Sequence, residues 1–168
     1  MFLAIPRVLG GVSLGVLLLM IGCGDCPVGS RLLIHGQEHY CRNKQKQRHG
    51  PYSRLDSKGN VVEVGQYQNG KKHGHWKVFH PDGSLQMESD WKFHQPTGWT
   101  TLYKNGHVWI RKYVEGSVRP KFQFSYHTSG PKAGQFRVAR CCGQEIKKES
   151  IAKNLCMAEV KLGKCDSN

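Results

Sequence analysis

The chain has 168 residues and a formal net charge of +13, from 25 Lys and Arg against 12 Asp and Glu. That length suits one domain with a modest core, and the excess of positive charge favours anionic partners. The acids are too few and too scattered to form the paired-carboxylate site of a glycosidase.

Residues 1–22 read as a signal peptide. Arg7 is the only charge before Asp25, and Val8 to Gly22 is an unbroken run of apolar and small residues. The run is too short to cross a bilayer as a stable helix and has the length of a signal-peptide core. Within it, Gly11-Val12-Ser13-Leu14-Gly15 fits the G-x-S-x-G pattern. That motif needs a strand-to-helix elbow, and here it is removed on maturation. The run ends in Leu19-Met20-Ile21-Gly22-Cys23, which resembles the bacterial lipobox. Met20 stands where the usual leucine would, with Leu19 one place further back. The resemblance implies lipidation of Cys23 and attachment to a membrane through that lipid. Gly24 after the cysteine, rather than aspartate, points to the outer membrane. The alternative is an ordinary cleaved signal peptide with Cys23 in a disulfide.

An envelope location narrows the anionic partners to lipid headgroups, lipopolysaccharide, acidic polymers or an envelope protein, and it disfavours nucleic acid. A solvated lysine coat that keeps an edge-rich β-protein soluble is the competing explanation of the charge. The six cysteines after Cys23 support an oxidising compartment and three disulfides. Their clustering pairs Cys26 with Cys41 and leaves Cys141 and Cys142 each to meet Cys156 or Cys165. Zinc would need paired C-x-x-C spacing, which the cluster lacks. Residues 23–48 form the lipidated N-terminus and a disulfide-tied cap. It has an apolar patch at Leu32-Leu33-Ile34, a short strand at Tyr40-Cys41 and a basic loop from Arg42 to Arg48.

Residues 49–140 are a repeat array of β-hairpins. Tyr52 stands seven places before Gly59, Trp76 before Gly83 and Trp99 before Gly106. Each unit opens on a glycine (Gly50, Gly74, Gly98) and carries a second aromatic after its turn (Tyr67, Trp91, Tyr113). The opening glycines are 24 residues apart, a spacing typical of repeat arrays. Period-two alternation, as in Leu85, Met87, Ser89 and Trp91, gives each strand one buried face. Pro81-Asp82-Gly83, Ser57-Lys58-Gly59-Asn60, Asn69-Gly70 and Asn105-Gly106 supply the turns. The third unit is one residue short on each side of Gly106, which predicts a bulge or register change there. Residues 121–140 form a degenerate fourth unit, with Phe122, Phe124 and Tyr126 alternating, a turn at Gly130-Pro131 and a return strand through Phe136 and Val138. In residues 141–168 the proline- and glycine-free stretch from Gln144 to Leu162 predicts a short amphipathic helix. Its apolar side is Ile151, Leu155 and Ala158, and Gly163 stops it. Tied by disulfides, the helix would cover the last strand edge.

These units, with Asn69-Gly70-Lys71-Lys72-His73-Gly74 between two of them, resemble the MORN-repeat variant of bacterial antitoxin-like repeat proteins over roughly residues 40–120. The stretch from Cys26 to Cys41 followed by His49-Gly50-Pro51-Tyr52 resembles the front end of exported members of that group. The resemblance implies a mainly β fold of antiparallel hairpins in an extended twisted sheet, with no common catalytic residues and no cofactor. His73, His75, His80 and His94 invite a metal reading, but His49 and His73 hold the same repeat position and need no ligand to explain them. The expected function is therefore a non-catalytic structural or interaction module, anchored in the envelope by lipid. The alternative is an envelope enzyme drawing on His127, Ser129 and the C-terminal cysteines.

Overall fold

A computed structural model describes residues 25–115, 121–141, 144–149, 152–154 and 156. Residues 1–22, read as a signal peptide, lie outside the described residues, as do Cys23, Cys142, Ile151, Leu155, Ala158, Gly163 and Cys165. The protein is mainly β, as expected. Eleven strands run in chain order: β1 (Arg31–His35), β2 (Glu38–Arg42), β3 (Arg48–Leu55), β4 (Val61–Gln68), β5 (Lys71–Phe79), β6 (Leu85–Lys92), β7 (Gln95–Lys104), β8 (His107–Glu115), β9 (Phe122–Tyr126), β10 (Phe136–Cys141) and β11 (Gln144–Ile146). Each pairs antiparallel with the next, so spatial order equals sequence order in one open sheet. A 3₁₀ turn at Gly130–Lys132 joins β9 to β10.

The cap is continuous with the array: the patch Leu32-Leu33-Ile34 lies in β1, and β2 pairs with β3. The C-terminal segment departs from the expectation. Gln144 to Ile146 is a strand beside β10, not the start of the helix. Helical geometry is assigned at Glu149, Ala152–Asn154 and Cys156. Ala152 and Cys156 are buried with Phe122, Phe124, Ala139 and Cys141. The helix therefore covers a face of the sheet, and β11 takes the edge position foreseen for it. Cys141–Cys156 resolves one pairing left open by the sequence, and Cys26–Cys41 forms as expected.

Each unit opens on a two-residue excess in its first strand. Tyr40 and Arg42 pair with Tyr52 and Arg48, Val64 and Gln66 with Lys77 and His73, Ser89 and Asp90 with Thr100 and Thr97. Gly50, Gly74 and Gly98 sit in these bulges. A second, one-residue bulge follows each hairpin turn and leaves Val62, Gln86 and Trp109 without a direct partner. The irregularity predicted for the third unit is thus common to all three.

The shortened third unit has a different consequence. Directly opposed residues of an antiparallel pair share a face, and successive residues alternate. Tyr52 opposes Gly65, Gly50 opposes Tyr67, Trp76 opposes Ser89 and Gly74 opposes Trp91. Tyr52, Tyr67, Trp76 and Trp91 therefore lie on one face. Ser89 opposes Thr100, which places the next residue back, Trp99, on the opposite face. Trp99 opposes Tyr113, and Tyr113 opposes Phe122. In a structure of period two, one missing residue moves an aromatic to the other side. Because a residue is missing on both sides of Gly106, Trp99 and Tyr113 move together and remain paired. The buried face of the sheet thus changes between β6 and β7. The first face carries a core in β2–β6. The second face carries one in β7–β10, against the helix.

Candidate functional site

The first core is built on three rings. Tyr52, Tyr67 and Trp76 lie with centroids 5.2–5.3 Å apart. Trp76 is 1% exposed, and its Nε1–H donates to the carbonyls of Gln66 and His73 at 3.2 Å each. The ring lies flat on Gly65, where an added Cβ would come within 2.2 Å of it. Sequence reasoning missed this floor. Cys41, Gly65 and Ser89 are also 24 residues apart, all small, and all set against unit openings. Ser89 is buried and accepts from Trp91 Nε1 at 2.8 Å.

A cation covers the rings at the start of each of the first two units. The guanidinium of Arg48 stands 4.7, 5.4 and 5.3 Å from the ring centres of Tyr40, Tyr52 and Tyr67 and pairs with Glu38 at 2.5 Å. Burial opposes its charge, but hydrogen bonding to Tyr67 and the neighbouring Glu38 and Tyr52 outweigh that and raise its pKa. Lys72, 24 residues on, repeats the arrangement, with Nζ 3.9 Å from the Trp76 ring centre and 2.9 Å from Glu63. In the third unit Pro96 takes this position. The predicted aromatics are therefore core rather than an open platform, and these two cations are committed to them.

The unit-joining turns at one end of the sheet form the candidate site. Residues 43–47 join β2 to β3, Asn69-Gly70 joins β4 to β5, and Phe93-His94 joins β6 to β7. Both residues of the latter two turns have positive φ: 48° and 79°, then 51° and 73°. Asn-Gly suits this hairpin geometry; Phe-His takes it at a cost of about 1–3 kcal/mol per residue. The turns are laced to strands already laid down. Gly70 N–H donates to the Arg48 carbonyl at 2.8 Å, and His94 N–H to that of Lys72 at 2.9 Å. His94 Nδ1 accepts from Lys72 N–H at 3.0 Å; His49 and Asn69 meet side chain to side chain at 2.9 Å. His73 packs against Phe93 with ring centres 5.5 Å apart. His49, His73 and His94 thus brace turns. His75 faces Asp90 at 2.9 Å and Glu88 at 3.5 Å, and among the described residues no cluster of three or more His, Cys, Asp or Glu has metal-holding geometry.

Two exposed lysines, Lys44 and Lys46, lie in the first turn, exposed Lys71 and Lys92 adjoin the other two, and none of the turns contains an acid. One turn recurs every second strand, so the tips stand about 10 Å apart. At the opposite end Lys58, Lys104 and Lys132 are accompanied by Asp56 and Asp82. Those two acids organise their own turns: Asp56 accepts from the N–H groups of Lys58 and Asn60 at 2.8 and 2.9 Å, and Asp82 from that of Ser84 at 2.8 Å. Hydrogen bonding by Asn60 and Ser84 holds the pKa of both carboxyls below its ordinary value. The charge of the array is therefore uneven: one end is cationic, the other mixed. Of the predicted glycines, Gly50, Gly70, Gly74 and Gly98 lie at or near the cationic end, and Gly59, Gly83 and Gly106 at the mixed one.

Among the described residues, those named for an enzyme are not brought together. His127 and Ser129 lie in the connection between β9 and β10. Cys141 ends β10 at its other extremity, buried in its disulfide. No helix among the described residues is long and apolar enough to cross a membrane.

No family model matches the chain, and no curated protein does. Among solved structures, the chain is similar to the Glycosylation Associate Protein (Gap123) complex from Streptococcus agalactiae at 8% identity, covering 82% of this chain and 25% of that one, with a TM-score of 0.41. The accessory secretory protein 1, 2 and 3 structure from Streptococcus pneumoniae matches at 8% identity over 61% of this chain and 18% of that one, with a TM-score of 0.28. TarM matches at 11% identity over 80% and 24%, with a TM-score of 0.29. The chain spans a quarter or less of each of these structures. Likeness at these scores supports no inference about function.

Proposed function

We propose that the protein is a lipid-anchored envelope lipoprotein of the outer membrane whose MORN-like repeat sheet acts without catalysis, as an interaction module for an anionic envelope polymer. The observation that carries this reading is the uneven charge. A solubilising coat would not distinguish the two ends of the sheet, whereas a row of ammonium groups about 10 Å apart offers regular contacts to a linear polyanion. The lacing of the turns favours binding, because a row fixed in advance loses little freedom when it is occupied. The acyl chains localise, at about 0.8 kcal/mol per buried CH₂, and leave the sheet free for recognition.

On immobilised dextran sulfate, replacing Lys44, Lys46, Lys71 and Lys92 together by Gln should lower the salt needed for elution well below that of the parent protein. Replacing Lys58, Lys104 and Lys132 should change it little. Equal shifts for both variants would return the charge to the role of a coat. The anchor is tested separately: radioactive fatty acid should label the parent chain and not Cys23→Ser, and an unlabelled parent would remove the lipoprotein reading.

A further inference from the structure

The change of buried face leaves the first face of β8–β11 open beyond Val114, which is buried near the end of β8, because the helix covers the other side. Register places two rows of side chains on that open face. Ile110 opposes Ser125, which opposes Val138; Gln123 opposes Arg140, which opposes Glu145. Two bulges flank the rows. Trp109 is the extra residue of β8 and Arg137 the extra residue of β10. Bulges re-aim side chains beside functional surfaces, and here Trp109 and Arg137 join the rows in lining one open groove of about 480 Å³. That volume falls within the range of small-ligand sites. Trp109 is 40% exposed, unlike the Trp76 ring of the first core.

The chemistry of this groove is specific. It joins an exposed indole to the side-chain amide of Gln123, the hydroxyl of Ser125 and the cations Arg137, Arg140 and Lys147, against the single carboxylate Glu145. Arg140 stands 3.9 Å from Glu145 and is 69% exposed, so its guanidinium fork remains open to a second carboxylate. An aromatic face beside amide and hydroxyl groups suits the C–H face and hydroxyls of a sugar ring, and the surplus of cations selects a sugar that bears an acid. We infer that the groove on the first face of β8–β11 binds an acidic saccharide, with Trp109 stacking on the ring and Arg140 and Arg137 taking its carboxylate. This site is separate from the lysine-bearing turns and does not depend on the polymer reading.

The test uses the purified chain labelled with ¹⁵N, with trigalacturonate as probe and maltotriose as its neutral counterpart. Trigalacturonate should shift the indole resonance that disappears in Trp109→Ala. Trp109→Ala and Arg140→Gln should each weaken binding about tenfold or more, and maltotriose should bind at least as weakly as these variants. Both side chains are exposed, so unchanged indole resonances from Trp76, Trp91 and Trp99 will verify that the variants fold. The variant with Gln at positions 44, 46, 71 and 92 should bind trigalacturonate like the parent. Equal affinity for maltotriose, undiminished binding by Trp109→Ala, or loss of binding in the four-lysine variant would each overturn the assignment.

Discussion

Inserting one alanine between Trp99 and Thr100 is expected to dismantle the C-terminal half of the sheet while β2–β6 keep their core. With Thr100 held opposite Ser89 and Lys112, the alanine takes the place facing Tyr113 and the ring moves one position along the strand, onto the first face. Trp99 would then leave Phe122 and Phe124, whose centroids lie 5.3 and 5.8 Å from it, as well as Tyr113 at 5.5 Å. Removing a large aromatic from a core costs about 3–5 kcal/mol, and the helix residues Ala152 and Cys156 pack against the same cluster. Amide exchange should show protection lost from β8–β10 and kept in β3–β5. The same insertion made one place earlier, between Gly98 and Trp99, should cost clearly less, because it leaves Trp99 opposite Tyr113. Full protection of β8–β10 with the alanine after Trp99 would show that the ring is not needed on the second face.

Gly65→Ala is expected to destabilise the N-terminal half by about 1–3 kcal/mol or more, although alanine for glycine in a strand ordinarily stabilises. The added methyl would stand 2.2, 2.3 and 2.7 Å from three ring atoms of Trp76. The ring has little room to retreat, since its N–H is held by two carbonyls and Lys72 lies over its other face. Chemical denaturation of Gly65→Ala, of Trp76→Leu and of the double variant separates the causes. The alanine should cost clearly less in the Trp76→Leu background than in the parent, where the indole is present. An equal cost in both backgrounds would locate its effect in the backbone rather than against the ring.

The hairpins were legible because turn chemistry and alternation are local. Asn69-Gly70 and Asn105-Gly106 mark their turns without reference to the rest of the chain. The turn at Phe93-His94 carries no such mark. It forms because β6 and β7 pair on either side of it and because His94 bonds back to Lys72. Tertiary context outweighed local preference there, as it did at Gln144–Ile146, where a helix-compatible run pairs with the open edge of β10. The shortened third unit was visible as a count of residues. Its meaning required the neighbouring register, since only Ser89 opposite Thr100 reveals that Trp99 has changed sides. The small residues at 41, 65 and 89 obeyed the same period as the rings and could have been found by it. The uneven charge could not, because which turns share an end of the sheet becomes definite only once the strands are counted.

The two disulfides among the described residues have a mechanical meaning in a sheet where each strand is hydrogen-bonded only to its neighbours. Such a ribbon can unzip strand by strand from its margins, because its ring contacts reach no further than the next strand but one. Cys26–Cys41 fastens the leading segment onto the second strand, and Cys141–Cys156 fastens the trailing one onto the tenth. No cysteine lies between positions 41 and 141. Covalent hems at both borders leave the middle to be secured by strand pairing and ring packing, so fraying must begin against a closed loop rather than a free tail.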